Sequence, residues 1–318
     1  MRSRLVMLMS LAIAALAVVI SAARFTYKFS PPPAVHASLK PSLASYLGVY
    51  EAGAPARYRE VDEFARIAGR SPNLVGYYSG WAEPFKIAFA REARSHGAAP
   101  FVQIDPTGAS VSAIAAGVYD AYLRSYADQV RDYGHPVVIG FGHEMNAPWY
   151  SWGYGHVSPA TFVAAWRHLV TLFRGQGADN VTWLWTLQAD EPGTGPSIAS
   201  WWPGSKYVTW VGIDGFYYRQ SDTFASVFGG TIKQVRSLTN LPILLSETAV
   251  APTANQYGDI LRLFQGVIAD KTLGLVWFDI AQHGGLYHQN WRLEGNTLAQ
   301  DAFRLGVRED IANKAPEH

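Results

Sequence analysis

From residue 46 onward, short apolar runs rich in β-formers alternate with amphipathic stretches of helical period. The runs Tyr46–Tyr50, Leu74–Tyr78, Pro100–Ile104, Val137–Phe141, Val181–Thr186, Trp210–Phe216, Ile243–Ser246 and Leu275–Asp279 predict eight strands. Between them the pattern predicts helices over Arg59–Ala68, Pro84–Ser95, Tyr119–Asp132, Pro159–Arg174, Thr223–Leu238 and Ala254–Ala269. In the third of these, Tyr119, Tyr122, Leu123, Tyr126 and Val130 share one face. Gly or Pro marks most returns from helix to strand, at Gly69, Gly97, Gly134 to Pro136, Gly177 and Pro242. Near-continuous apolar strands separated by helices indicate a parallel sheet buried on both faces. Eight such units close an α/β fold of the (β/α)8 TIM barrel type. An open doubly wound sheet is the rival, and it is disfavoured because no Gly-rich phosphate loop follows the first strand.

The N-terminus breaks this rhythm. Arg2 and Arg4 precede Leu5–Ala23, a run without charge in which only Ser10 and Ser21 are polar. A helix of that length nearly matches a hydrocarbon core of about 30 Å, and it exceeds the usual apolar region of a signal peptide. Residues 1–24 are therefore expected to be a membrane anchor or a signal segment, with an anchor favoured and cleavage near Ser21 to Ala23 the alternative. Basic residues at the start place that end in the cytoplasm and the remainder outside it, anchored to the membrane or secreted. Residues 25–41, with Pro31 to Pro33, read as an extended spacer, and residues 42–310 as the barrel domain.

Composition narrows the chemistry. Hydrophobic residues make up 49% of the 318 and charged residues 16%, which suits a large core and excludes a disordered chain. A net charge of +1, with no basic block beyond the first residues, argues against nucleic acid as a partner. The chain has no cysteine, so disulfides, thiolate metal sites and a cysteine nucleophile are excluded. A monomer is expected.

The stretch Gly140–Gly153 delivers His143, Glu144 and Asn146 from the fourth strand into a loop holding Trp149, Tyr150 and Trp152. Glu247 closes the seventh strand. In a barrel the C-terminal strand ends converge, so these two glutamates would meet at the mouth, as glycoside hydrolysis by a pair of carboxyl groups requires. A lone loop glutamate is usually a solvated charge or a helix cap; two at equivalent strand ends carry more weight. A zinc-protease reading of His143-Glu144 fails, because Ala147 stands where the second histidine belongs and Pro148 would break the helix. His283 and His288, near the eighth strand, have no carboxylate at metal-ligand spacing and read as surface or sugar-contacting residues. No Gly-x-Ser-x-Gly elbow is present, which disfavours a serine hydrolase. Eleven Trp and seventeen Tyr, many just after strands, fit stacking on sugar rings. Trp183, Trp185 and Trp210 lie within strands and are assigned to the core, whereas Trp149 and Trp152 are favoured as substrate contacts.

Several of these pieces, in order, resemble glycoside hydrolase family 26, the β-mannanase-like family of retaining barrels. They are His143 to Asn146 with Trp149 to Gly153, Trp202 to Gly204, Val211 to Gly215, Leu245 to Ala249, Val276 to Asp279 and Asn290 to Arg292. The resemblance implies that Glu144 is the general acid/base and Glu247 the nucleophile, with carboxylates about 5–5.5 Å apart. It further implies that His143 supports Glu144 and the substrate, that Trp149 lines the pocket, and that Trp277 forms a platform under the cleaved sugar. Asn146, Trp152 and Tyr217 join the expected substrate-binding set. No metal or organic cofactor is implied. Two positions depart from the family pattern. Gly140 stands where an Arg is common. Phe216 replaces a Tyr that orients the nucleophile, so Tyr217 or Tyr218 is expected to substitute. The third strand also ends Gln103-Ile104-Asp105-Pro106 in place of a Trp-x-Pro-like pattern, so the sugar-binding wall is expected to differ from that of a typical mannanase.

The expectation is a retaining, endo-acting β-glycanase that hydrolyses a β-1,4-linked polysaccharide, either β-mannan or a mixed-linkage β-glucan. Transglycosylation through the same intermediate is a variant. The alternative is a non-hydrolytic cell-surface glycan-binding or envelope-assembly protein on the same barrel, which would have no need of both glutamates.

Overall fold

A computed structural model describes residues 38–189, 196–282 and 289–311. The expected anchor (1–24), most of the spacer, His283 and His288 lie outside them. No helix among the described residues is long and apolar enough to cross a membrane.

Eight parallel strands close in sequence order into one barrel. They are β1 (Tyr46–Glu51), β2 (Leu74–Gly80), β3 (Ala99–Asp105), β4 (Val137–Phe141), β5 (Val181–Gln188), β6 (Trp210–Asp214), β7 (Ile243–Thr248) and β8 (Gly274–Asp279). Closure runs through β1 and β8, paired from Tyr46↔Gly274 to Glu51↔Asp279. Around them stand α1 (Arg59–Ala68), α2 (Ile87–Ser95), α3 (Val111–Ala115), α4 (Asp120–Tyr133), α5 (Pro159–Gly175), α6 (Gly230–Leu238), α7 (Gln256–Ala269) and α8 (Thr297–Asp310).

Both strand faces are buried, and for different reasons. Tyr46, Tyr50, Leu74, Phe101, Val138, Leu184, Trp210, Leu244 and Val276 fill the barrel interior. Their chain neighbours, such as Leu47, Val75, Val102, Ile139, Trp185 and Trp277, join the helices in the outer core. A strand buried on both sides has no polar face, which is why these runs read as continuously apolar. The interior closes only with small residues in places. A Cβ on Gly140 would lie 1.9 Å from Gln103 Oε1, so the glycine of β4 makes room for the Gln side chain of β3. That amide in turn donates to Thr186 Oγ1 at 3.1 Å.

Where elements differ from the pattern, local chemistry explains it. The predicted Thr223–Leu238 helix begins as a π-helical turn, Ala225–Gly229, before α6. Adjacent glycines at 229 and 230 weaken α-helix formation there, while Phe224 packs on Phe228 with ring centres 5.1 Å apart. β6 stops at Asp214 rather than Phe216, because its register with β7 shifts between Ile213 and Asp214. α3 and α8 were not anticipated. Each is capped by a side chain, Ser110 accepting from Ala113 N–H and Asn296 from Ala299 N–H. α8 seals the outer core with Phe303, which meets Phe64, Phe264 and Trp277 edge-on.

Candidate active site

The chain leaves β4 through a tight turn. Gly142 (φ 55°) and Glu144 (φ 53°) both take the left-handed conformation, and only the first is free of steric cost there. Glu144 N–H donates to Thr186 O at 3.0 Å, which pins the strained residue to β5. Asn146 extends the clamp. Its side-chain amide donates to Gln188 O and its carbonyl accepts from Gln188 N–H, both at 2.9 Å. The side chain of Asn146, expected to contact sugar, thus ties the loop to the end of β5.

The two loop tryptophans separate. Trp149 is 54% exposed, and its indole N–H donates to Glu144 Oε2 at 2.7 Å, so it lies over the carboxyl at the mouth. Trp152 is buried, donates to His143 O at 2.8 Å, and stacks beneath Tyr150 at 4.4 Å with 7° between the rings. It supports the loop and is not placed to touch substrate, because the loop folds back on itself through Tyr154 N–H to Met145 O.

Glu247 sits at the end of β7, 5% exposed. Tyr78 of β2 donates its hydroxyl to Glu247 Oε1 at 2.6 Å. This is the tyrosine that meets the second glutamate, and neither Tyr217 nor Tyr218 fills that place. Tyr217 is buried among the helices near Phe228, because the backbone bridge of Tyr217 to Val250 turns it outward. Trp277 is corrected in the same way. It is fully buried, donates to Trp291 O and packs on Phe303 of α8. Side chains alternate along β8, so its neighbour Phe278 faces inward, with its ring 6.3 Å from Tyr50. The aromatic wall on this side of the mouth is half-buried Phe216, Tyr218 and Phe278, closed by Trp291. Trp291 lies 5.0 Å from Phe216 and 5.2 Å from Tyr218, and Phe216 lies 5.6 Å from Phe278.

Between the two glutamates lies His143. Its Nδ1 is 2.9 Å from Asp105 Oδ1, at the end of β3, and its Nε2 is 3.1 Å from the Tyr150 hydroxyl. Burial alone would depress the imidazole, but Asp105 and then Glu247 and Glu144 outweigh it and push it up to about 9. These carboxyl groups favour the protonated imidazole. Both glutamates are pushed upward, mainly by burial, and Glu247 reaches about 8; the His143 charge opposes the rise in each. On Glu247 the Tyr78 hydrogen bond also lowers it, while the Glu144 carboxyl raises it. Asp214, fully buried at the end of β6, is pushed well up by burial and then by Glu247; it accepts from Ser246 Oγ at 2.5 Å. Two carboxyl groups at a barrel mouth, each touched by one aromatic donor and flanked by one cation, can hold a single proton between them. That is the equipment for general acid catalysis beside a nucleophile.

Tyr78 and Asp105 were the functional residues not assigned from sequence. Both end inner-face positions of their strands, and that alternation is the signal that points to them.

The profile of Glycosyl hydrolase family 26 matches residues 107–303. Endoglucanase H of Acetivibrio thermocellus is 27% identical over 273 residues, covering 80% of this chain and 29% of that protein. Beta-1,3-xylanase TXYA of a Vibrio species is 26% identical over 151 residues, covering 47% of this chain and 31% of that protein. The chain thus spans under a third of the length of these curated relatives. Among solved structures, a modular endo-β-1,4-mannanase from Cellulomonas fimi aligns with a TM-score of 0.67 at 16% identity, over 86% of this chain and 72% of that one. Bacillus subtilis mannanase BCman aligns with a TM-score of 0.61 at 18% identity, over 84% and 85%. At these identities the structural likeness establishes the fold.

Proposed function

The chain belongs to glycosyl hydrolase family 26, and from that premise we propose that it is a retaining, endo-acting β-glycanase. The observation that carries this reading is the asymmetric support of the pair: Trp149 holds Glu144 Oε2, and Tyr78 holds Glu247 Oε1. With Oε1 engaged, Glu247 Oε2 is the oxygen that attacks the anomeric carbon. Glu144 gives its proton to the departing glycosidic oxygen, and a glycosyl ester forms on Glu247. Glu144, now ionised, takes a proton from water, which attacks the same carbon and frees Glu247. Burial raises both carboxyls; the His143 cation and the Tyr78 hydrogen bond oppose that rise on Glu247, and His143 and Trp149 oppose it on Glu144, so the pair holds a proton that Glu144 can deliver.

The substrate is a β-1,4-linked polysaccharide, β-mannan or a mixed-linkage β-glucan. A relative that matches 80% of this chain is named an endoglucanase, which weights the reading towards the glucan. Gly140 weakens the mannan reading, since Gln103 leaves no room for a side chain where the mannanase-like pattern carries an Arg. The enzyme works outside the cytoplasm, held by residues 1–24 or released after their removal.

The test is product release from mannan, mixed-linkage glucan and xylan by the wild-type chain and two variants. Glu247→Ala is expected to release nothing. Glu144→Ala loses most activity on polysaccharide but keeps a share on aryl glycosides whose leaving group needs no proton. Binding without release by the wild type would mean a glycan-binding protein instead.

A further inference from the structure

The outer side of the β1–β8 seam carries a carboxylate group that the cleft does not use. β1 ends in Glu51 and β8 in Asp279, paired across the closing ladder. Their chain neighbours Tyr50 and Phe278 face the interior, so both carboxylates leave the barrel on the helix side. Glu294, in the connection before α8, adds a third, and one oxygen from each of the three lies within 4.8 Å of the others. Glu51 is 5% exposed and Asp279 fully buried. Asp279 Oδ1 accepts from Leu293 N–H at 2.8 Å. Asp279 Oδ2, Glu51 Oε1 and Glu294 Oε2 are buried with no N–H or hydroxyl donor among the described residues, and face one another's carboxyl groups.

Buried oxygens without donors are rare and costly, and charged ones more so. Here the surroundings make matters worse. The groups acting on Glu51 are carboxylates throughout: Asp279, Glu294 and Glu60. Three separate segments converge to aim unused oxygens at one point, and a cation there satisfies all of them.

We propose that Glu51, Asp279 and Glu294 bind a divalent cation of the calcium class, as a clip that fastens the last strand of the barrel to the first. An all-oxygen donor set selects hard cations over zinc or copper. The three oxygens lie within 4.8 Å of one another, close enough for one ion to reach all of them at calcium–oxygen distances of about 2.3–2.6 Å. Magnesium, at about 2.1 Å, asks for a tighter cage. The clip would also fix the segment from Trp291 to Asn296, which leads into α8 and places Trp291 beside Phe216 and Tyr218. The carboxylates face away from Glu144 and Glu247, so the role is structural and independent of the sugar bound.

Purified full-length protein, stripped with EDTA and dialysed, is titrated calorimetrically with calcium chloride and separately with magnesium chloride, and its thermal unfolding is followed by circular dichroism. Saturable calcium binding at one site is expected, with an upward Tm shift of several degrees and weaker binding of magnesium. The double variant Glu51→Gln/Asp279→Asn loses both the calcium heat and the calcium-dependent shift. Glu294→Gln, at a half-buried loop position that leaves the two strand ends intact, weakens calcium binding by about tenfold or more. Absence of saturable heat in the wild type up to about 10 mM calcium, beyond the weak range of extracellular calcium modules, overturns the proposal. So does a calcium shift that survives in Glu294→Gln unchanged.

Discussion

Tyr78 shows how one hydroxyl can divide labour between two similar carboxyl groups. Its bond to Glu247 Oε1, at 2.6 Å, is made to the ionised form, so it favours the nucleophile's charge where burial opposes it. A hydrogen bond to a charged group is worth about 1.5–3 kcal/mol, so Tyr78→Phe should lower kcat about 10–100-fold. KM should change little, which steady-state kinetics on the preferred polysaccharide will show. His143 acts on both glutamates through its charge. Its positive charge lowers both; removing it raises both. In His143→Gln the acid limb of the kcat/KM profile, set by ionisation of Glu247, should therefore move to higher pH by about one unit. A limb that stays in place or moves down would show that the imidazole is neutral. At this scale the position of Glu144 and Glu247 at the barrel mouth was legible from sequence, because each follows an apolar run at the C-terminal end of its strand. Tyr78 was not assigned, as its partner lies 169 positions away and only closure of the barrel unites them. The resemblance placed Trp277 under the sugar, whereas it faces the helices and its neighbour Phe278 faces in.

Between neighbouring strands, the pair Gln103 and Gly140 sets the floor of the site. The two residues are register partners on β3 and β4, and the Gln side chain occupies the volume that the glycine vacates. Gly140→Ala should force Gln103 from its bond to Thr186 and destabilise the protein by about 1–3 kcal/mol, read from urea unfolding. Adding Gln103→Ala should recover part of that loss, since the two changes share one space. All eight strands were legible to within one or two residues, because burial on both faces leaves an apolar run with sharp ends. Helices were legible where one face is polar, as in α4, whose buried Leu123, Tyr126 and Val130 keep the expected spacing. The π-helical turn ahead of α6 was not, since it depends on how Phe224 and Phe228 pack against α7, where a Cβ on Gly266 would meet the Phe224 ring.

Across the whole molecule, closure of β1 on β8 lets strand ends from β2, β3, β4, β6 and β7 deliver Tyr78, Asp105, Glu144, Asp214 and Glu247 to one mouth. The architecture was legible from the count and alternation of elements. The supporting shell was not, because it depends on which inner-face residues meet across the barrel. The seam of that closure is also where the outward carboxylates gather, away from the cleft. The central claim is that Glu144 and Glu247 cleave a β-glycosidic bond by double displacement, and the anomeric form of the first product tests it most directly. Hydrolysis of the best polysaccharide of the panel should be followed by proton NMR from the first minutes, before mutarotation mixes the anomers. The account predicts that the new reducing end appears first as the β-anomer, and that Glu247→Ala yields none. An α-anomer appearing first, or release that persists in Glu247→Ala, would contradict it.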